Sequence, residues 1–136
     1  FCISAIKKHK IIINSDGSPL RDFIHVDDIA RGIYQLCITN KKIPPFINFA
    51  AGNTLSMLEL ASIVYNIGLK LDNKLKIEFQ NRILDKNELK KRLRKLKNQK
   101  KFKISNKIMK DLKIKPKISL KNGIEKTLQD IRNNEI

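Results

Sequence analysis

Tryptophan is absent from this 136-residue chain and aromatic residues make up only 6% of it. Few large rings are therefore available to fill a core or to stack on nucleic-acid bases. Cys2 and Cys37 form neither a CxxC pair nor a disulfide framework, so a reducing, cytoplasmic compartment is expected, with no metal site. No apolar run approaches the ~20 residues that span a bilayer, and the opening Phe1 to Ile6 is too short for a signal-peptide core. The glycines, Gly17, Gly32, Gly52, Gly68 and Gly123, are too scattered to cradle a phosphate at a strand-to-helix turn. Carboxylates are scarce as well: 13 Asp and Glu stand against 29 Lys and Arg, a formal charge of +16.

That charge is lopsided. Residues 1 to 80 hold only slightly more basic than acidic groups, whereas the stretch 82–103 runs Arg82, Lys86, Lys90, Lys91, Arg92, Arg94, Lys95, Lys97, Lys100, Lys101, Lys103 against Asp85 and Glu88. Leu89, Leu93 and Leu96 recur there at helical spacing, and Asp85 with Glu88 suits a helix start. The pattern predicts an amphipathic basic helix over 82–103 that packs its leucines and turns its lysines to water. The preference for Lys over Arg, with abundant Ile and Asn, also fits a low-GC coding bias. Only Phe102 is interleaved with these basics, which gives single-stranded nucleic acid little support as a partner. The rival reading is a small basic protein that docks 82–103 on nucleic acid or an anionic membrane, with an affinity that falls steeply with salt.

Periodicity gives an α/β arrangement in the order helix, strand, strand, helix, strand, helix, in one domain or part of one with a marginal core. The predicted elements are a helix end at 1–8, strands at 11–14 and 23–26, a helix at 28–38, a loop at the paired Pro44 and Pro45, a buried strand at 46–50, a helix at 56–69 with Leu60, Ile63, Val64 and Ile67 inward, and a strand at 75–79. Beyond the basic helix, a short helix is expected near 106–112, a break at Pro116 and a last helix from about Leu120 to Arg132. Cys37 falls on a predicted apolar stripe with Ile29, Ile33 and Leu36, where burial is expected.

The stretch from Asp16 to Ala30 is the most informative. Asp16-Gly17 between two apolar runs is a hairpin-type signal, because glycine tolerates positive φ and the aspartate can bond the backbone two residues on. Arg21 leaves that turn as a permanent cation able to give two parallel donors to a phosphate, and Asp27 or Asp28 can cap the following helix. An Arg21 ion pair with Asp22 or Asp27 is the structural alternative. By period-two counting Asp22 lies on the side of Ile24 and Val26, as a partly buried carboxylate bonding backbone amides would. His25 shares the side of Arg21 and Phe23, yet a lone histidine without partner ligands reads as structural.

Asp16-Gly17-Ser18-Pro19-Leu20-Arg21-Asp22-Phe23-Ile24-His25-Val26-Asp27-Asp28-Ile29-Ala30-Arg31-Gly32-Ile33 resembles the signature in the substrate half of NAD-dependent nucleotide-sugar epimerases and dehydratases, the extended short-chain dehydrogenase group. Phe46 to Gly52 followed by Leu55 to Leu60, and Ile104 to Lys107 followed by Asp111 to Ile124, are similar to that family's later blocks in the same order. The family's GxxGxxG is missing. Its YxxxK is missing too, since Ile38 and Leu69 follow Tyr34 and Tyr65 by four residues. The resemblance therefore implies that residues 1–136 are the carboxy-terminal, substrate-binding portion of an extended Rossmann-type enzyme, with 82–103 as a basic helical insertion and with no catalytic or cofactor-binding residue of its own. A start at Phe1 rather than methionine agrees with a fragment.

The resemblance further implies that Arg21 contacts the diphosphate of a nucleotide sugar. Arg82 stands at about the distance of a second diphosphate-binding arginine, although Ile83-Leu84-Asp85 replaces the usual glycine-aspartate pair, leaving Asp85 between a ribose contact and a helix start. Asn14 stands near the base position without specifying the base. NAD, the missing amino-terminal Rossmann half and a homodimeric parent are the implied cofactor and partners. The strand at 46–50 would join the edge of the parent's sheet, so the chain alone should expose an apolar edge, be poorly stable and show no turnover.

Overall fold

A computed structural model describes residues 1–80 and 82–133. The chain runs α1 (Cys2–Lys8), β1 (Lys10–Ile13), β2 (Leu20–Asp22), α2 (Val26–Ile38), β3 (Thr54–Ser56), α3 (Met57–Gly68), β4 (Lys76–Phe79), β5 (Arg82–Leu84), α4 (Lys86–Leu96), α5 (Lys107–Asp111) and α6 (Leu120–Asn133). Alternating isoleucines start the sheet: Ile11 and Ile13 are buried, while Lys10 and Ile12 are half-buried on the other face. β1 pairs in parallel with β4, which pairs antiparallel with β5. The registers Ile11↔Ile77, Ile13↔Phe79 and Ile77↔Leu84 place all these apolar side chains on one face. Helices α1, α3 and α6 cover it with Ala5, Leu58, Ala61, Val64, Ile67, Ile124 and Leu128. Among the described residues no helix is long and apolar enough to cross a membrane.

A two-stranded sheet, β2 with β3, stands apart from this core. β3 leads straight into α3 through Ser56, which is fully buried. Its hydroxyl accepts from the Glu59 N–H at 3.1 Å, and the Glu59 carboxylate accepts from the Ser56 N–H at 2.7 Å. Lys101 reaches the same carboxylate at 2.8 Å. Burial alone would raise the Glu59 pKa, but the Lys101 ammonium and the Ser56 donors outweigh it and hold the carboxyl below its ordinary value. A lowered folded pKa means that this stabilisation is complete above the ordinary glutamate value and fades as pH falls through the lowered one. Ser56→Ala should lower stability by about 1 to 2 kcal/mol, read as a reduced urea midpoint with an unchanged m-value.

Several elements differ from the sequence reading. Asp16-Gly17 is not a hairpin turn, because β1 and β2 do not pair; the turn hands the chain from the three-stranded sheet to the two-stranded one. No strand covers 23–26. The β2 ladder ends at Asp22 with its short partner, and α2 begins at Val26 because His25 caps it. Residues 46–50 form no ladder, although Phe46 and Asn48 are exposed while Ile47 and Phe49 are half-buried. They keep the period of a strand without a neighbour. The predicted helix over 82–103 is shorter: Arg82–Leu84 is strand and α4 stops at Leu96, with Leu89 buried and Leu93 and Leu96 half-buried as expected.

Cys37 is exposed, not buried. Helix α2 packs through Asp28 and Gly32, where a Cβ on Gly32 would lie 2.3 Å from the Phe49 ring and 3.1 Å from Ile114. That rotation exposes Ile33 (50%) with Cys37 and leaves Ile29 and Leu36 of the predicted stripe half-buried; Val26 (68%), Tyr34 (64%), Ile38 (61%) and, further along the chain, Phe46 (83%) are exposed as well.

Candidate functional site

The turn after β1 is built by its own side chains. The Ser18 N–H donates to Asp16 Oδ1 at 3.0 Å, the bond two residues on that aspartate favours, and Gly17 takes φ 78°. Gly17 and Pro19 carbonyls accept from the N–H groups of Leu58 and Met57, both at 3.0 Å, which locks the turn to the start of α3. Arg21 is then presented on β2, directly opposite Leu55 of β3.

Asp22 decides the geometry of this corner. Its Oδ1 accepts from the Ala51 N–H at 2.7 Å and its Oδ2 from the Gly52 N–H at 2.8 Å. Gly52 has φ 82°, and Asn106 crowds it while its side-chain amide donates to the Ala50 and Ala51 carbonyls at 3.3 and 3.4 Å. The three sequence blocks singled out above, around Arg21, Gly52 and Asn106, thus meet through hydrogen bonds. The sequence placed Asp22 on backbone amides but not on which ones.

Arg21 is exposed, and among the described residues its guanidinium donates only to the neighbouring Leu20 carbonyl, at 2.8 Å. The alternative ion pairs are absent among the described residues. Asp22 is committed to Ala51 and Gly52, and Asp27 to Lys126 at 2.8 Å. The Lys126 ammonium holds the Asp27 carboxyl below its usual range. Leu55, the cross-strand neighbour of Arg21, and Phe23, just beyond the end of β2, both line a largely apolar cavity of about 710 Å³ that also takes in Asn53, Asn66, Ser119 and Lys121. That volume lies within the range of small-molecule sites.

Arg82 lies on β5 opposite Phe79, exposed and without a carboxylate partner among the described residues. The two arginines stand in different sheets. Even so, Arg82 faces the last residue of β4, and the Gln80 N–H donates to Ile13, the last residue of β1, at 3.1 Å. It therefore sits at the carboxyl end of the parallel pair, the end from which the turn to Arg21 departs. Asp85 caps α4, its Oδ1 accepting from Asn87 and Glu88 at 2.7 Å each. The Asp85 helix-start reading holds.

His25 is structural. Its Nδ1 accepts from the Asp27 N–H at 3.1 Å, and α6 approaches closely enough that a Cβ on Gly123 would lie 2.8 Å from the ring. The cap expected from Asp27 or Asp28 comes from His25 instead. Asp28 is buried, accepting from Lys117 and Ile118 and paired with Arg31. Asn14 is exposed, and no group of three His, Cys, Asp or Glu is placed to hold a metal among the described residues. These residues do not fit the pyrophosphate of a dinucleotide: the adjacent Ala51 and Gly52 amides that would form an anion cradle already hold the Asp22 carboxylate.

Residues 2–52 match the NAD dependent epimerase/dehydratase family. The chain is 31% identical over 134 residues to UDP-glucuronic acid decarboxylase 1 of Arabidopsis thaliana, covering 98% of this chain and 27% of that protein. Among solved structures, the UDP-glucose 4-epimerase of Thermotoga maritima, determined with UDP-glucose, superposes with a TM-score of 0.70 at 19% identity, over 99% of this chain and 39% of the other. RMD from Pseudomonas aeruginosa, complexed with NADPH, gives 0.65 at 18% identity, over 97% and 40%. The chain spans about a quarter of the curated relative's length and under half of these structures. Residues 2–52 carry the pattern of the NAD-dependent epimerase/dehydratase family, and the likeness to UDP-glucuronic acid decarboxylase 1 runs through nearly the whole chain.

Proposed function

We propose that residues 1–136 are the carboxy-terminal, substrate-holding portion of a nucleotide-sugar epimerase or dehydratase, with Arg21 as the principal contact to the substrate diphosphate and Arg82 as a second. The observation that carries this reading is the state of Arg21. It is exposed, held on a strand whose next residue is pinned to Ala51 and Gly52, and free of any carboxylate partner among the described residues. A cation kept in place yet unneutralised suits an anionic ligand. The neighbouring cavity of about 710 Å³ offers room for an uncharged part of that ligand.

The catalytic groups and the NAD site belong, in this reading, to a Rossmann half that packs on α2. The exposed Val26, Ile33, Tyr34 and Ile38 on that helix, with Phe46 exposed further along the chain, are apolar groups of the kind an interface covers. The hydride chemistry of NAD is then supplied by that half, while this chain orients the sugar nucleotide. The isolated chain is expected to bind but not to turn over.

Calorimetric titration of the full chain with UDP-glucose tests the proposal. Arg21→Ala should weaken binding by roughly tenfold to a hundredfold, Arg21→Lys should recover part of it, and Arg82→Ala should cost less. Undiminished binding by Arg21→Ala, with circular dichroism showing the fold intact, would remove Arg21 from the site.

A further inference from the structure

We propose that the segment from Lys100 to Lys110 docks this protein on a membrane surface rich in anionic lipid headgroups. From Leu89 to Lys110 the chain carries no carboxylate, so a long stretch of one sign faces outward. Lys90, Lys91, Arg94 and Lys95 are exposed on α4, and Lys100, Lys101, Lys103, Lys107 and Lys110 continue the field beyond it. Of these, Lys101 is tied to Glu59.

Charge alone would describe a solvated face. The lysines here alternate with exposed apolar side chains: Phe102 is 51% exposed, Ile104 37% and Ile108 38%. Their backbone is held in place. The Thr54 hydroxyl donates to the Phe102 carbonyl at 2.7 Å, Asn106 is bonded to Ala50 and Ala51, and Met109 is buried. Phe102, Ile104 and Ile108 are thus kept out of the core by a segment that is itself anchored. Lys103, Ile104, Lys107 and Lys110 also border one concavity of about 520 Å³, where the three lysines outnumber the single carboxylate, Asp111.

Exposed apolar side chains set between lysines along one anchored segment match the boundary between headgroups and acyl chains, where long basic side chains reach the phosphates while the apolar groups enter below them. Nucleic acid fits less well. Only Phe102 could stack on a base, and the isoleucines would remain in water. This inference does not depend on the nucleotide-sugar reading, since among the described residues no side chain of this segment is hydrogen-bonded to Arg21 or Arg82.

Co-sedimentation of the full chain with phosphatidylcholine vesicles, with and without phosphatidylglycerol, tests it directly. Binding is expected only to the anionic vesicles and should weaken at high salt. Lys103→Glu with Lys107→Glu, and separately Phe102→Ser with Ile104→Ser, should each reduce it by roughly tenfold or more. Because the chain has no tryptophan, Phe102→Trp reports on the segment itself: its emission should shift to the blue on anionic vesicles. No sedimentation with anionic vesicles, an unshifted Phe102→Trp emission, or tight binding to a single-stranded oligonucleotide without vesicle binding would each overturn the proposal.

Discussion

Asp28→Ala will destabilise the protein by about 2 to 5 kcal/mol, because each main-chain N–H left without its acceptor costs roughly 1 to 3 kcal/mol. Asp28 is only 3% exposed. Its Oδ1 accepts from Lys117 at 2.8 Å and its Oδ2 from Ile118 at 3.0 Å. Arg31 pairs with the same carboxylate but remains 38% exposed, so water can solvate the guanidinium once its partner is gone. The loss should therefore come from the two amides, and Arg31→Ala should be the milder change. Asp28→Asn keeps one acceptor and should fall between them. Urea unfolding of the three variants orders these effects; a cost below ~1 kcal/mol for Asp28→Ala would mean that water replaces the carboxylate without strain.

The same residue shows where the sequence stops being legible. Aspartate at 27 or 28 before an apolar helix is an N-cap signal, and the helix is where the pattern puts it. The cap is nonetheless His25, because Asp28 is drawn into contact with a segment 89 residues away, a partner that no local pattern contains. Asp22 was readable as a carboxylate on amides because period-two counting fixes its side of the strand. The identity of Ala51 and Gly52 required the β2 and β3 pairing. Short apolar runs located β1 and β4 to within one residue, helical spacing located α3, and the break at Pro116 located α6. Residues 46–50 read as a buried strand, but a ladder needs a neighbouring strand as well as a pattern, and none pairs with them among the described residues. The stripe on α2 misled about Cys37 for a related reason. Apolar periodicity reports a face meant to be covered, not the chain segment that covers it.

At Gly17, local conformation and tertiary packing can be separated experimentally. Gly17→Ala should cost about 2 to 4 kcal/mol: roughly 1 to 2 from placing an L side chain at φ 78°, and the rest from overpacking. The added Cβ would lie 2.9 Å from the Leu58 Cβ, an atom fixed by the backbone of α3 that no rotamer change can move. Relief requires the turn to shift, and the turn is held to α3 by the Leu58 and Met57 bonds to Gly17 and Pro19. Gly17→Asn distinguishes the contributions, since asparagine tolerates left-handed backbone but carries the same Cβ. If packing dominates, both variants lose nearly equal stability in urea. If conformation dominates, Gly17→Asn is clearly the milder. In the packing case the displaced turn also moves Arg21, so Gly17→Asn should weaken UDP-glucose binding even at temperatures where the variant is fully folded. Native affinity in a folded but destabilised Gly17→Asn would separate the turn from the placement of Arg21 and leave the β2 and β3 ladder, with the Asp22 bonds, to hold the arginine alone.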